Sequence, residues 1–237
     1  MKTLVLLHGW GATGGVWDRQ VQTLRGPARV LAPTLAVWDA VWLARYLATL
    51  PLKETILVGW SLGGMVLLEA LAAMGNPPLA GLALVAAAAS FCPRPDYPLG
   101  QPPTRVRAMR RGLQHDTPKV LAEFAKNCLA PGEEAFQAEV LALYASQSPA
   151  DNLAAGLDYL LNRDLRDCLS RIPPGAVLIQ GDQDPIVPPS QARFLQERLP
   201  GARLRLLPSA GHLPFVTQAA GFNEILEEMW RGGPGER

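Results

Sequence analysis

The chain is poor in the residues that mark several functional classes. Its three cysteines, Cys92, Cys128 and Cys168, are odd in number and widely spaced, with no C-x-x-C pair. That excludes a disulfide framework and argues against a thiolate zinc site, so the thiols read as reduced. Histidine is equally scarce, at three: His8, His115 and His212. The formal net charge is only +1, which points to neither nucleic acid nor an anionic membrane as a bulk partner. No apolar run approaches the ~20 residues that span a bilayer. The opening Met1-Lys2-Thr3-Leu4-Val5-Leu6-Leu7 looks like the start of a signal peptide. It stops at His8-Gly9 without a small-residue cleavage site, so it reads as a buried strand and the protein as cytoplasmic. No internal repeat is visible.

What remains is a chain of 237 residues, 49% hydrophobic. That length suits one α/β domain with an inserted subdomain. In the first half, apolar runs at 3–7, 29–33, 55–59 and 80–86 read as strands. Segments 15–24, 38–49 and 62–74 read as helices. The strands are near-continuous apolar runs rather than alternating ones, which predicts a mostly parallel sheet with helices on both faces. The pattern resumes with strands at 176–179 and 202–206 and helices near 189–199 and 217–230, for about six strands in all. Between the halves, Pro93, Pro95, Pro98, Pro102 and Pro103 crowd a segment that cannot be the interior of an element. From there to Arg171 the chain reads as helices only. Residues 1–90 and 172–237 therefore form the expected core. Residues 91–171 form an expected helical lid over the carboxyl edge of the sheet, where ligands bind in open α/β folds. The tail from Gly232 to Arg237 reads as disordered.

The chemistry concentrates at Thr55-Ile56-Leu57-Val58-Gly59-Trp60-Ser61-Leu62-Gly63-Gly64. A β-branched run, G-x-S-x-G and a helix-forming segment together make the context of a nucleophile elbow. The turn must be tight enough to leave little room for a Cβ at Gly59 or Gly63. A serine hydroxyl needs a base, and the base needs an orienting acid. His212, in Ser209-Ala210-Gly211-His212-Leu213-Pro214-Phe215, is the histidine that follows the last strand. The acid should follow the preceding strand, where Gly181-Asp182-Gln183-Asp184-Pro185 supplies two carboxylates. Asp184 is preferred, because Asp182 directly follows the glycine and suits a turn that binds its own backbone N–H groups. The oxyanion needs two donors. The Leu62 N–H, at the helix N-terminus, is one. The other is expected from His8-Gly9-Trp10-Gly11, through Trp10, whose indole would wall the acyl pocket. His8 precedes the nucleophile and reads as a brace for this loop. His115 reads as a solvated helix-end residue.

These pieces together resemble the α/β-hydrolase superfamily along the whole chain. Within it, the sequence looks like the carboxylesterases of biotin synthesis that remove the methyl group from pimeloyl-acyl-carrier-protein methyl ester. The carrying residues are Leu6 to Gly11, Gly59 to Gly64, Phe91-Cys92, Gly181 to Pro188 and Gly211 to Phe215. The resemblance implies Ser61 as nucleophile, Asp184 as acid, His212 as base, and Trp10 and Leu62 around the oxyanion. On the lid it implies Phe124 as a substrate contact, with Cys128 one turn further on the same face. No metal or organic cofactor is implied, because side chains supply the chemistry.

Three features depart from the family. The chain starts at the strand leading to the oxyanion loop, so the family's first hairpin is missing and a shorter sheet is expected. Ala32-Pro33-Thr34-Leu35-Ala36-Val37-Trp38 replaces an acidic, glycine-rich loop. The family docks its acidic carrier on basic lid residues. Here Lys119 is a candidate, Glu123 stands where another base is expected, and positive charge gathers at Arg105, Arg107, Arg110 and Arg111. That cluster reads equally well as a docking face or as an ordinary solvated helix face. The alternatives are a general short-chain esterase, thioesterase or carbon–carbon hydrolase with the same triad and, more remotely, a non-catalytic binding scaffold.

Overall fold

A computed structural model describes residues 2–24, 29–145 and 149–232. Six parallel strands form one sheet in the order β2-β1-β3-β4-β5-β6. They are β1 (Thr3–Leu7), β2 (Arg29–Leu31), β3 (Thr55–Trp60), β4 (Gly81–Val85), β5 (Val177–Gly181) and β6 (Arg203–Leu207). The central β1, β3 and β5 are buried at every residue, as continuous Leu/Val/Ile runs require. The edge strands differ. In β2, the expected 29–33 run shortens to three residues. Pro33 lies beyond its end and has no N–H to extend a ladder. In β6, Arg203 and Arg205 face water and Leu206 is 37% exposed. Charged edge positions of this kind discourage pairing with a further chain.

The helices follow from right-handed crossovers. The chain leaves β1 for β2 in one direction, then returns past β1 to β3. α1 (Asp18–Leu24) and α2 (Ala40–Ala48) therefore lie on opposite faces of the sheet. α3 (Leu62–Ala73) packs against α2 and is almost wholly buried. α2 starts at 40 rather than 38 because Asp39 caps it, accepting from the Val41 and Trp42 N–H groups.

Between β4 and β5 the chain is helical: α4 (Pro103–Gly112), α5 (Thr117–Asn127), α6 (Gln137–Ala145) and α7 (Ala150–Asn162). Prolines at 103 and 118 occupy the first turns of α4 and α5, where a missing N–H costs nothing. The two stems of this insertion are tied together. Leu165 N–H donates to the Ala89 carbonyl, and Arg94 donates to the carbonyls of Leu161 and Arg163. After β5 come α8 (Pro189–Arg198), then a short α9 (Pro214–Thr217) and α10 (Ala219–Trp230). The single helix expected at 217–230 thus divides at Gln218, whose φ of −130° is not helical. α10 packs on α1, where Trp17, Phe215 and Phe222 form a buried aromatic group. The expected disordered tail falls, apart from Gly232, outside the described residues. Among the described residues, no helix is long and apolar enough to cross a membrane.

Candidate active site

The strand order reverses between β1 and β3, and the loops leaving their carboxyl ends face each other across that point. Ligands bind there in open α/β sheets. Ser61 is the residue between β3 and α3, with φ 54° and ψ −122°. A non-glycine residue in such a conformation costs about 1–3 kcal/mol, and it persists only where neighbours enforce it. Those neighbours are visible. Ser61 N–H donates to the Val85 carbonyl at 2.9 Å. A Cβ on Gly63 would run into the His8 carbonyl oxygen, and one on Gly59 would stand 2.6 Å from Gly64 Cα. The turn is therefore clamped between the two neighbouring strand ends.

The structure brings Ser61, His212 and Asp184 together. His212 Nε2 lies 3.0 Å from Ser61 Oγ, and its Nδ1 lies 2.8 Å from Asp184 Oδ2. With Nδ1–H donating to the carboxylate, Nε2 is left as the acceptor that a serine proton requires. All three side chains are buried, Ser61 the most accessible at 7%. Asp184 is held by its own backbone turn: Oδ1 accepts from the Ile186 and Val187 N–H groups at 2.8 and 2.9 Å. Asp182 does something else, accepting from the Ser209 N–H at 2.6 Å.

Gln180 was not visible as a site residue in the sequence. Its Nε2 donates to Asp184 Oδ2 at 3.0 Å and to the Val187 carbonyl at 2.9 Å. The available signal was an amide closing an otherwise apolar strand. Trp60 contributes too, donating from Nε1 to the His212 carbonyl at 2.9 Å.

His8 stands apart from this group. Its Nδ1–H donates to the Gly9 carbonyl at 2.9 Å, and its Nε2 accepts the Leu35 N–H at 2.8 Å. Burial lowers its pKa from 6.5 to about 4, against a smaller opposing effect of the Gly9 hydrogen bond. It is thus a neutral strut between the loops that follow β1 and β2. Trp10, 2% exposed, donates from its indole to the Leu153 carbonyl of α7 at 2.8 Å and meets Phe124 edge-on at 4.9 Å. Leu62 opens α3, so its N–H has no partner within the helix.

A cavity of about 460 Å³ opens between α4 and α5, with Gln101, Arg105, His115, Asp116, Lys119 and Glu123 among its lining. A smaller one, of about 20 Å³, adjoins Ser61 and is walled by Trp10, Leu157 and Leu160. Phe91, Val106, Met109, Phe124 and Ile186 line both, so these five side chains border the larger space and the smaller alike. Phe124 therefore faces the site. Cys128 does not: it lines neither cavity, is fully buried, and sets Sγ 3.5 Å from the Tyr144 hydroxyl. As the C-cap of α5 it keeps helical dihedrals and donates its N–H to the Phe124 carbonyl at 3.1 Å, so it stays on the Phe124 face, where both residues meet Tyr144. His115 is exposed on the rim of the larger cavity.

Of the basic residues of this helical insertion, Arg105, Arg107, Arg111 and Lys119 are exposed. Arg110 is instead committed to Asp158 at 3.2 Å. Among the described residues, no group of three or more His, Cys, Asp or Glu is placed to hold a metal ion.

The model of the alpha/beta hydrolase family matches residues 4–225. The chain belongs to the α/β-hydrolase family. Among curated relatives, it is 32% identical to a pimeloyl-[acyl-carrier protein] methyl ester esterase of Aeromonas hydrophila, over 95% of this chain and 94% of that one. It is 33% identical to an enzyme of the same name from Nitrosomonas europaea, over 90% of each. Among solved structures, an esterase from Exiguobacterium antarcticum superposes with a TM-score of 0.88 at 25% identity, over 98% of this chain and 92% of that one. This α/β hydrolase is thus similar in both sequence and architecture to named esterases.

Proposed function

We propose that this chain is a serine carboxylesterase that cleaves the methyl ester of pimeloyl-acyl-carrier protein, acting in the cytoplasm in biotin synthesis. The observation that carries the reading is the hydrogen-bonded series from Ser61 Oγ through His212 to Asp184, at 3.0 and 2.8 Å. Its relatives of that name cover nearly the whole chain.

In this mechanism His212 Nε2 takes the Ser61 proton as Oγ attacks the ester carbonyl. Leu62 and Trp10 N–H groups receive the oxyanion, whose charge is worth most to stabilise in a buried site. The imidazolium returns its proton to the departing methoxide oxygen, and methanol leaves. Water, deprotonated by His212, then hydrolyses the acyl-enzyme to the free carboxylate. The acyl chain runs from the space beside Ser61, past Phe91 and Phe124, into the larger cavity between α4 and α5. Residues 91–171 act as the lid that gives this path its depth. The thioester to the carrier then stays at the far end, out of reach of Ser61. The carrier docks at Arg105, Arg107, Arg111 and Lys119, with Arg110 occupied by Asp158.

Methanol release from pimeloyl-acyl-carrier-protein methyl ester, with the thioester intact, is the expected outcome. Release of the carrier thiol at a comparable rate overturns the substrate assignment. Ser61→Ala should abolish the p-nitrophenol burst from p-nitrophenyl butyrate, a loss of roughly 10³-fold or more in kcat. A second reading, a general short-chain esterase, gains support from Asp116 and Glu123, which line the same cavity as Arg105 and Lys119. Their carboxylates weaken the match to an acidic carrier. Good esterase activity combined with failure to restore growth of a biotin-requiring strain lacking its methyl esterase favours that reading.

A further inference from the structure

The loop bearing His212 is supported from two sides. Its own domain supplies three contacts: Ser209 N–H to Asp182, Gln183 N–H to the Ala210 carbonyl, and the Trp60 indole to the His212 carbonyl. The backbone N–H groups of Gly211 and His212 are satisfied from the other side, by the turn after α5. Gly211 N–H donates to Glu133 Oε2 at 3.1 Å, and His212 N–H donates to the Cys128 carbonyl at 2.8 Å. Glu133 is fixed in turn, because the same Oε2 accepts the Ala130 N–H at 2.8 Å.

This carboxylate is 6% exposed, and its other oxygen, Oε1, is buried with no partner among the described residues. A carboxylate in such surroundings is costly to bury, so it stays only where its contacts across the junction compensate. The junction is also tight. A Cβ on Gly211 would stand 2.5 Å from the Cys128 carbonyl oxygen and 2.7 Å from both Ala130 N and Glu133 Oε2.

We propose that Glu133 is a positioning residue for His212: a single carboxylate oxygen clasps the turn at 128–133 to the backbone of residue 211 and so holds the imidazole in register with Ser61. The proposal rests on the reading of Ser61, His212 and Asp184 as a catalytic triad. It divides the helical insertion in two. The turn at 128–133 cannot swing away without withdrawing acceptors from residues 211 and 212. Substrate therefore enters through the α4–α5 side, where the larger cavity already opens.

The role is one of acceptor placement rather than charge, which separates two conservative variants. Glu133→Gln keeps an oxygen able to accept both N–H groups and puts its NH₂ where Oε1 already lacks a partner. Glu133→Asp keeps the charge but is one methylene too short to reach both. The test measures kcat and KM on p-nitrophenyl butyrate for both variants, with Ser61→Ala alongside. It adds the downfield proton signal of the His212 Nδ1–H···Asp184 hydrogen bond.

Glu133→Gln should keep kcat and the downfield signal within about threefold of the parent. Glu133→Asp should lose about tenfold or more in kcat with KM little changed, because small misplacements of a reacting group are expensive; its downfield signal should weaken. Parental kcat in a folded Glu133→Asp, or an equal loss in Glu133→Gln, overturns the proposal. Should Glu133→Asp fail to fold, amide exchange of the unmodified protein decides. Gly211, His212 and Ala130 should exchange together, and independent exchange overturns the clasp. Activity surviving in Ser61→Ala would instead sink the triad reading, whatever Glu133 does.

Discussion

Two regions meet over Ser61 and differ in how they hold their side chains. In the strand-end loops, His8, Asp184 and His212 are almost completely buried, and each ring or carboxylate contact is to backbone or to another buried group. Along α4, α5 and the turn between them, Arg105, Arg107, Arg111, His115 and Lys119 are exposed, and Arg105, His115 and Lys119 line an open cavity. The first region is specified by close backbone approach and satisfied hydrogen bonds, so a single atom changes it. The second is specified by charge in water, where single pairs are worth little. On the proposed function, chemistry belongs to the first and selection of partners to the second.

The sharpest way to break this contrast is Asp184→Asn. The amide oxygen would remain with the Ile186 and Val187 N–H groups, as Oδ1 does now. Its NH₂ would then face His212 Nδ1 and the donor Nε2 of Gln180. The imidazole would be driven to carry its proton on Nε2, the wrong nitrogen for a base. A loss of about 10⁴-fold in kcat is expected without loss of fold, read by steady-state kinetics beside a thermal melt. A loss below tenfold would show that Asp184 does not set the tautomer.

Acid offers a smaller probe of the buried region. The pKa of His8 is about 4 in the folded chain against 6.5 for a free imidazole. Between those values the unfolded chain binds the extra proton, so stability rises with pH across this window and falls on acidification through it. The loss from pH 6.5 to 4 is on the order of 3 kcal/mol. Urea unfolding over that range measures it, and His8→Gln should flatten this part of the profile.

The rim should respond least. Reversing Arg105, Arg107 and Arg111 to Glu should leave hydrolysis of p-nitrophenyl butyrate unchanged. It should lower kcat/KM on the carrier-bound ester by about tenfold at low salt, with the deficit shrinking as salt rises. An equal effect on both substrates would place these residues in structure rather than docking.

Legibility in the sequence follows the same division. Gly59-Trp60-Ser61-Leu62-Gly63 was readable because strand, turn and helix are all local to it. Asp184 could be preferred over Asp182 because the two turn positions differ in what their backbone offers. Cys128 keeps the helical spacing that the sequence suggests, sharing the Phe124 face of α5, but that spacing could not show that Tyr144 would bury it away from either cavity. Gln180 had a weak signal, while Glu133 had none, because its partner Gly211 lies 78 positions away.

The sequence alone determined the α/β alternation, the parallel sheet and the strand–turn–helix setting of Ser61, since each depends on periodicity or on a turn only a few residues long. Tertiary structure decided which groups lie against the imidazole, where the cavity opens and which residues of the helical insertion face it. Those choices rest on distances between segments far apart in the chain, which no local pattern encodes.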